Sequence, residues 1–409
     1  MTVEADKQHP RSFTPAAVDE NSDDSEIARF YQDRTVFITG GTGFIGKVLL
    51  EKLLRSCPGL KRAYLLVRNK RGQEPQARLE KMFNSEMFER LKREQPEALK
   101  KVTALEGDLT EPNLGLSVSD QAVLTDDVSV VFHSGATVKF DEPIRSADKY
   151  ATETQQECLF GHPNTYTLTK SLAESLLLEQ RGDTPVAIVR PSIVTAAMNE
   201  PLPLGLGLVQ SVLTEKRCTA DLIPVDVVAN MLICVAWHTS SKRSKQVKVF
   251  HCTSGALKRL TWEDAVCMAE KNALQHPLPG AVGFPKFSMT NSKLKHHLKL
   301  WCMHYLPACL IDLALQLSRR KPRFVRRYEK VRKAMGVVEY FATHGWLFRT
   351  NNVQKLLLEL SRTDAKMFNF DVRALEWSHY WKNYVIGIRK YLFKAEDSKE
   401  PDARKHLRR

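Results

Sequence analysis

The sequence has no CxxC pair among its eight cysteines, at positions 57, 158, 218, 234, 252, 267, 302 and 309. A zinc site needs clustered Cys and His ligands, and a secreted disulfide scaffold is shorter and denser in cysteine, so both are excluded. The thiols read as reduced packing residues, which points to a reducing compartment. The first residues form no apolar run and carry Asp23, Asp24 and Glu26, unlike a signal or transit peptide; residues 1–28 are expected to be a disordered arm. No run of about 18 uncharged apolar residues occurs. The nearest, Leu298 to Leu317, is broken by Lys299, His304, Pro307 and Asp312. There is no internal repeat or low-complexity tract.

What is present is basic and globular. The 409 residues carry 61 Lys and Arg against 47 Asp and Glu, a net charge of +14, which calls for an anionic partner: nucleic acid, anionic lipid, or a phosphate-bearing cofactor or substrate. A basic surface on a soluble protein is the alternative. With 43% hydrophobic and 26% charged residues, the composition is that of a compact protein, long enough for a principal domain and a smaller C-terminal one.

Thr35 to Thr39 is a β-branched and aromatic strand that runs into Gly40-Gly-Thr-Gly43-Phe-Ile-Gly46. Ile45, Leu49 and Leu53 then recur at helical spacing until Pro58-Gly59, and Ala63 to Val67 supplies a second strand. In such a βαβ unit the first glycine permits the tight turn, the second admits the pyrophosphate, and the third lets helix pack on strand. Gly40, Thr42, Gly43, Phe44, Ile45 and Gly46 are therefore the expected cofactor loop, with phosphate on the helix N-terminus. Arg68 and Lys70 stand where an NAD site places an acid, and so favour NADP; solvated loop charges are the alternative. Asp108, in Gly107-Asp108-Leu109 after a third strand at 102–105, is an adenine-side candidate, although a turn aspartate looks the same.

Further strands are expected at 128–132, 186–189 and 247–250, giving an α/β fold with a doubly wound parallel Rossmann sheet. Thr261-Trp-Glu-Asp264 opens a helix with a capping box. Tyr166 and Lys170 lie four apart on one helical face, which continues through Leu172, Leu176 and Leu177. An ammonium beside a phenol lowers the phenol pKa, so the pair can protonate an oxyanion formed at a carbonyl. From Ser292 on, Lys293, Lys295, His296, His297 and Lys299 precede the apolar stretch, and Arg319, Arg320, Lys321, Arg323, Arg326 and Arg327 follow it.

These features resemble the extended short-chain dehydrogenase/reductases. Phe37 to Lys47, His133-Ser-Gly-Ala-Thr-Val-Lys-Phe-Asp141, Arg190-Pro-Ser-Ile-Val194, Phe368 to Asp371 and Asn383 to Tyr391 resemble, more narrowly, the alcohol-forming fatty acyl-CoA reductases, over nearly the whole span 26–393. The resemblance implies NADPH-dependent reduction of a long-chain fatty acyl-CoA to the alcohol by way of the aldehyde. It implies Tyr166 as proton donor, Lys170 as its electrostatic partner and a ribose contact, Pro191 and Ser192 at the nicotinamide, and His133 to Ala136, with Ser134, lining the cofactor groove. An extended reductase acting on sterols or nucleotide sugars would share the N-terminal half only. The expected units are a Rossmann domain at 29–275, a helical domain at 292–393 and a charged tail at 394–409. The flanked apolar stretch points to a membrane surface, with a buried helical hairpin of the C-terminal domain as the alternative; the resemblance implies an organelle membrane, endoplasmic reticulum or peroxisome, and no nucleic-acid partner.

One absence cuts against the resemblance. Between His133-Ser-Gly-Ala136 and Tyr166 such a reductase has a further helix and a buried strand whose end supplies a catalytic Ser or Thr, yet 141–165 contains no β-rich apolar run of four. A shorter loop is also expected at 201–218. Three readings follow: a working reductase that recruits a hydroxyl such as Thr165, an inactive relative that still binds NADP(H) or lipid, or an incomplete gene product.

Overall fold

The computed structural model describes residues 24–70, 72–136, 161–195, 211–277, 288–322 and 324–392. After a short helix α1 (Glu26–Phe30), the chain builds β1 (Thr35–Thr39), α2 (Phe44–Ser56), β2 (Arg62–Val67), α3 (Pro75–Phe83), α4 (Glu89–Glu94), β3 (Val102–Glu106), α5 (Val118–Asp127) and β4 (Val128–His133). The four strands form one parallel sheet in the order β3-β2-β1-β4, and every residue of β1 is buried. A strand covered on both faces tolerates an unbroken run such as TVFIT, and this is why its boundaries are readable in sequence. The leucines of α2 fall three and four apart, so Leu49, Leu50, Leu53 and Leu54 enter the core.

The chain resumes with α6 (Thr165–Gln180), β5 (Ala187–Pro191), β6 (Ile193–Thr195), β7 (Ser211–Leu213), β8 (Leu222–Pro224), α7 (Val225–Lys242), β9 (Lys248–Cys252) and α8 (Trp262–Gln275). Three parallel pairs arise, β5 with β9, β6 with β8, and β7 with β10 (Ser288–Thr290). Among the described residues, β4 pairs with β1 alone and β5 with β9 alone. Val131 on β4 is 60% exposed, and Leu172, Leu176 and Leu177 of α6 face solvent. The capping box expected at Thr261 is present, with Thr261 and Asp264 satisfying each other's backbone.

The C-terminal part is helical: α9 (Lys293–Leu300), a π turn (Trp301–Tyr305), α10 (Leu306–Leu317), α11 (Phe324–Thr343), α12 (Asn351–Glu359), α13 (Arg362–Met367) and α14 (Trp377–Gly387). The continuous helix Lys293–Leu317 is long and apolar enough to cross a membrane by length and composition. Val353, Leu356, Phe368 and Phe370 belong to the same core as α2 and α7, so this part is packed into the Rossmann unit. On α14, Trp377, Tyr380, Trp381 and Tyr384 form a second core with Ala220, Leu222 and Leu260.

The buried Asp364 joins the two ends of the chain. Its Oδ1 accepts from the Ser25 hydroxyl at 2.5 Å and the Ile27 amide at 3.3 Å, and its Oδ2 from the Glu26 amide at 3.2 Å and the Ser361 hydroxyl at 2.8 Å. One carboxylate thus serves the orphan amides at the start of α1 while packed into the first turn of its own helix. Ser25 to Ala28, which the sequence assigns to a disordered arm, are ordered by this contact.

Candidate functional site

The glycine loop is shaped by three close approaches. Gly40 has φ +70°, and a Cβ there would lie 2.7 Å from the Gly135 amide nitrogen. A Cβ on Gly46 would lie 2.3 Å from the Gly40 carbonyl oxygen, and one on Gly43 3.0 Å from the same atom. The loop therefore folds back on itself, and Phe44 and Ile45 begin α2 after Gly43, which supplies no side-chain cap. Thr42 sits at the crest of this turn. A helix N-terminus left open behind a glycine turn is a receptor for a pyrophosphate, so the residues fit a dinucleotide.

Parallel register sets Thr39 beside His133 and so brings β4's end against the loop. The Thr39 hydroxyl lies 2.9 Å from His133 Nδ1 and accepts from the Gly135 amide at 3.1 Å, while the Ser134 hydroxyl donates to the Thr39 carbonyl at 2.9 Å. Gly135 also abuts Leu109, since a Cβ there would meet Leu109 Cδ1 at 2.5 Å. Gly40, Leu109, Ser134 and Gly135 therefore converge, with the exposed Ala136 next in the chain.

A second corner is cationic. Arg68 approaches Asp108 at 3.6 Å, and Arg78 of α3 donates to the Arg68 carbonyl. The Thr110 amide and hydroxyl, with the Arg68 charge, hold the Asp108 carboxyl below its usual value. The half-buried Lys47 ammonium is pushed down by burial and by Arg78. Lys70 is exposed. Lys47 and Arg78 were missed in the sequence analysis; Lys47 follows the third glycine and was legible there, whereas nothing local marks Arg78.

Tyr166 and Lys170 open α6, which the Asn164 side chain caps through the Thr167 amide. Lys170 Nζ lies over the Tyr166 ring, 5.7 Å from its centroid. Burial raises the phenol above its ordinary value, opposite to the lowering expected from the sequence. Burial also lowers Lys170, against the pull of Glu174, and His133 is lowered by burial and then by the Lys170 charge. His133, at the carboxyl end of β4, thus lies within reach of the Lys170 charge. Thr165 is buried in the same first turn. Pro191 ends β5 and Ser192 follows it, both tied to β9: the Ser192 amide donates to the Cys252 carbonyl at 3.0 Å, and the Ser192 hydroxyl is buried without a hydrogen-bond partner among the described residues.

A parallel sheet with a glycine cradle at one strand's carboxyl end defines the nicotinamide-dinucleotide-binding reductases. The terminal reductase domain of the myxalamid pathway superposes with a TM-score of 0.58 at 17% identity, covering 88% of this chain and 92% of that one. A non-ribosomal peptide synthetase reductase domain from Mycobacterium tuberculosis gives 0.56 at 16%, covering 89% and 95%. Two family profiles, both described as "Male sterility protein", match: an NAD-binding one at 38–159 and 146–232, and a C-terminal one at 303–395. Fatty acyl-CoA reductase 1 of Xenopus laevis is 34% identical over 93% of this chain and 89% of its own length, that of Homo sapiens 33% over the same shares, and fatty acyl-CoA reductase 2 of Mus musculus 34% over 94% and 90%. The chain belongs to the fatty acyl-CoA reductase family of oxidoreductases, as the sequence resemblance implied. An extended reductase acting on sterols or nucleotide sugars would not call for the C-terminal match. The Xenopus alignment extends over 457 residues yet takes in 93% of a 409-residue chain, so several tens of its positions have no counterpart here. The NAD-binding match also breaks into two pieces that overlap at 146–159, within the 141–165 stretch that lacks a strand pattern.

Proposed function

We propose that this chain binds NADPH and carries the fold for reducing a long-chain fatty acyl-CoA to the alcohol by way of the aldehyde, working at the surface of an organelle membrane, endoplasmic reticulum or peroxisome. The observation that carries the reading is the cradle of Gly40, Gly43 and Gly46 against the end of β4, where His133 lies within reach of the Lys170 charge. When bound, each NADPH would supply one hydride, so the reduction would take two cofactor molecules in turn, one for the thioester with the CoA thiol leaving and one for the aldehyde.

The loop from Gly40 to Gly46, with Thr42, holds the pyrophosphate against the α2 N-terminus. Arg68, backed by Arg78 and Lys47 and flanked by Lys70, offers its guanidinium to a 2′-phosphate, a group that an arginine fork recognises in two-pronged fashion. Asp108 and Leu109 bound the adenine side, Ser134 and Ala136 the groove, and Pro191 and Ser192 the nicotinamide side. Tyr166 donates a proton to the substrate oxyanion, against the rise that burial imposes on the phenol. Lys170 offsets the phenolate left behind and reaches the ribose. Titration with NADPH and NADH tests the cofactor assignment, with tighter NADPH binding expected and Arg68→Ala removing the preference. Equal affinities would reject it.

A second reading, supported by the absence among the described residues of a strand that joins β4 to β5, is a relative that binds NADP(H) or lipid but turns over poorly. NADPH binding with little acyl-CoA-dependent oxidation would select this reading.

A further inference from the structure

The Lys293–Leu317 helix exposes one unbroken apolar stripe: Leu294, Leu298, Trp301, Leu306, Leu310, Leu313 and Leu317, with Leu294 and Leu317 exposed by 80% and 79%. The steps along it are four, three, five, four, three and four. The step of five spans the π turn Trp301–Tyr305. A π turn holds one residue more than an α turn, so it absorbs the extra position and keeps the stripe straight. The opposite face is committed to the protein, where His296, Ala308 and Asp312 are buried. Asp312 accepts from the Phe324 amide at 3.0 Å and the Val325 amide at 2.9 Å, capping α11 across the turn.

This two-sided commitment decides how the helix meets lipid. Crossing a bilayer would carry the Asp312 carboxylate and His296 into hydrocarbon and strip α11 of its cap, and intramembrane charges of that kind are expensive. Lying in the interface leaves both in place. The exposed Lys293, Lys295, His297 and Lys299 at one end, and Arg319, Arg320 and Lys321 at the other, complement anionic headgroups, and tryptophan favours that depth. We propose that Lys293–Leu317 is an in-plane anchor: the leucine stripe enters one leaflet of an anionic bilayer, the basic ends hold headgroup phosphates, and the helix does not span. The proposal rests on the membrane reading above and specifies its geometry.

The test uses the full chain with vesicles of phosphatidylcholine with and without phosphatidylserine. Flotation is expected only with phosphatidylserine, with Trp301 emission shifted to the blue and quenched most by bromines placed high on the acyl chains; Trp301→Phe should remove the shift. Leu310→Glu with Leu313→Glu should lower the bound fraction at least tenfold while NADPH affinity is unchanged. Lys293→Glu with Lys295→Glu and Lys299→Glu, which leaves the stripe intact, should abolish the phosphatidylserine preference. Absence of flotation by the natural chain would overturn both the anchor and the membrane reading. Equal flotation by the leucine variant, or strongest quenching at the bilayer centre, would overturn the anchor alone. So would a lipid-free dimer that the leucine variant dissociates, which would assign the stripe to a second copy.

Discussion

The two flanks of β1 are completed to different degrees. On one side β2 and β3 continue the sheet, and α2 covers it with leucines that see no solvent. On the other, β4 is the last strand of the sheet among the described residues, with Val131 mostly exposed, and α6 holds Tyr166 and Lys170 with Leu168 buried but Leu172, Leu176 and Leu177 exposed. The glycine loop draws on both flanks, with α2 on the first and Ser134 and Gly135 after β4 on the second, whereas Tyr166 and Lys170 stand on the second alone. The α2 face and the α6 face of the sheet therefore rest on different packing, one on buried leucines and the other on exposed ones.

The sharpest way to break that comparison is to complete the second flank. Inserting a family-length segment after Lys149, a position outside the described residues, should raise acyl-CoA-dependent NADPH oxidation about 100- to 1,000-fold, the effect of restoring one oxyanion-holding donor. NADPH affinity should move little, and Tyr166→Phe should abolish turnover in both forms. Equal turnover with and without the insert would mean that the second flank is already complete. A smaller effect separates the flanks by stability: Leu49→Ala should cost about 2–5 kcal/mol in urea unfolding and Leu176→Ala less than about 0.5 kcal/mol. Similar losses would show that α6 is covered in solution.

The smallest effect lies inside the well-packed part. His238, 4% exposed on α7, is pushed below its ordinary value by burial, with Lys248 reinforcing and Glu359 opposing. The unfolded chain takes up the proton more readily, so the stability gained by keeping the ring neutral is complete above about pH 6.5 and is lost as the pH falls through the folded value. Thermal unfolding between pH 7 and 5 should show a slope of at most about 1.4 kcal/mol per pH unit from this group, flattened in His238→Gln. An unchanged slope would place the acid sensitivity elsewhere.

Much of the first flank was legible because local signals coincide there. Thr35 to Thr39, the three glycines and the leucines of α2 each carry their own period, and the structure reproduces β1 residue for residue. Strand ends drifted by one or two residues, as at Ala187–Pro191, where the sheet edge and not the side-chain pattern decides. The Thr39 contact with His133 depends on parallel register and Arg78's approach to Arg68 on the angle of α3, neither of which leaves a mark in nearby sequence. The position of Lys170 over the tyrosine ring was equally hidden, since four-residue spacing fixes a shared face and not which atoms meet.

Asp364 also sets a clock. The Ser25 hydroxyl and the Glu26 and Ile27 amides that it receives lie 337 to 339 residues earlier in the chain. During synthesis the start of α1 must wait for a partner that the ribosome has yet to make, roughly 17–70 s later at about 5–20 residues per second. Tyr31, whose hydroxyl donates to the Ile233 carbonyl, can dock on α7 earlier, so the carboxylate of Asp364 completes the cap of a helix whose body has partners made sooner.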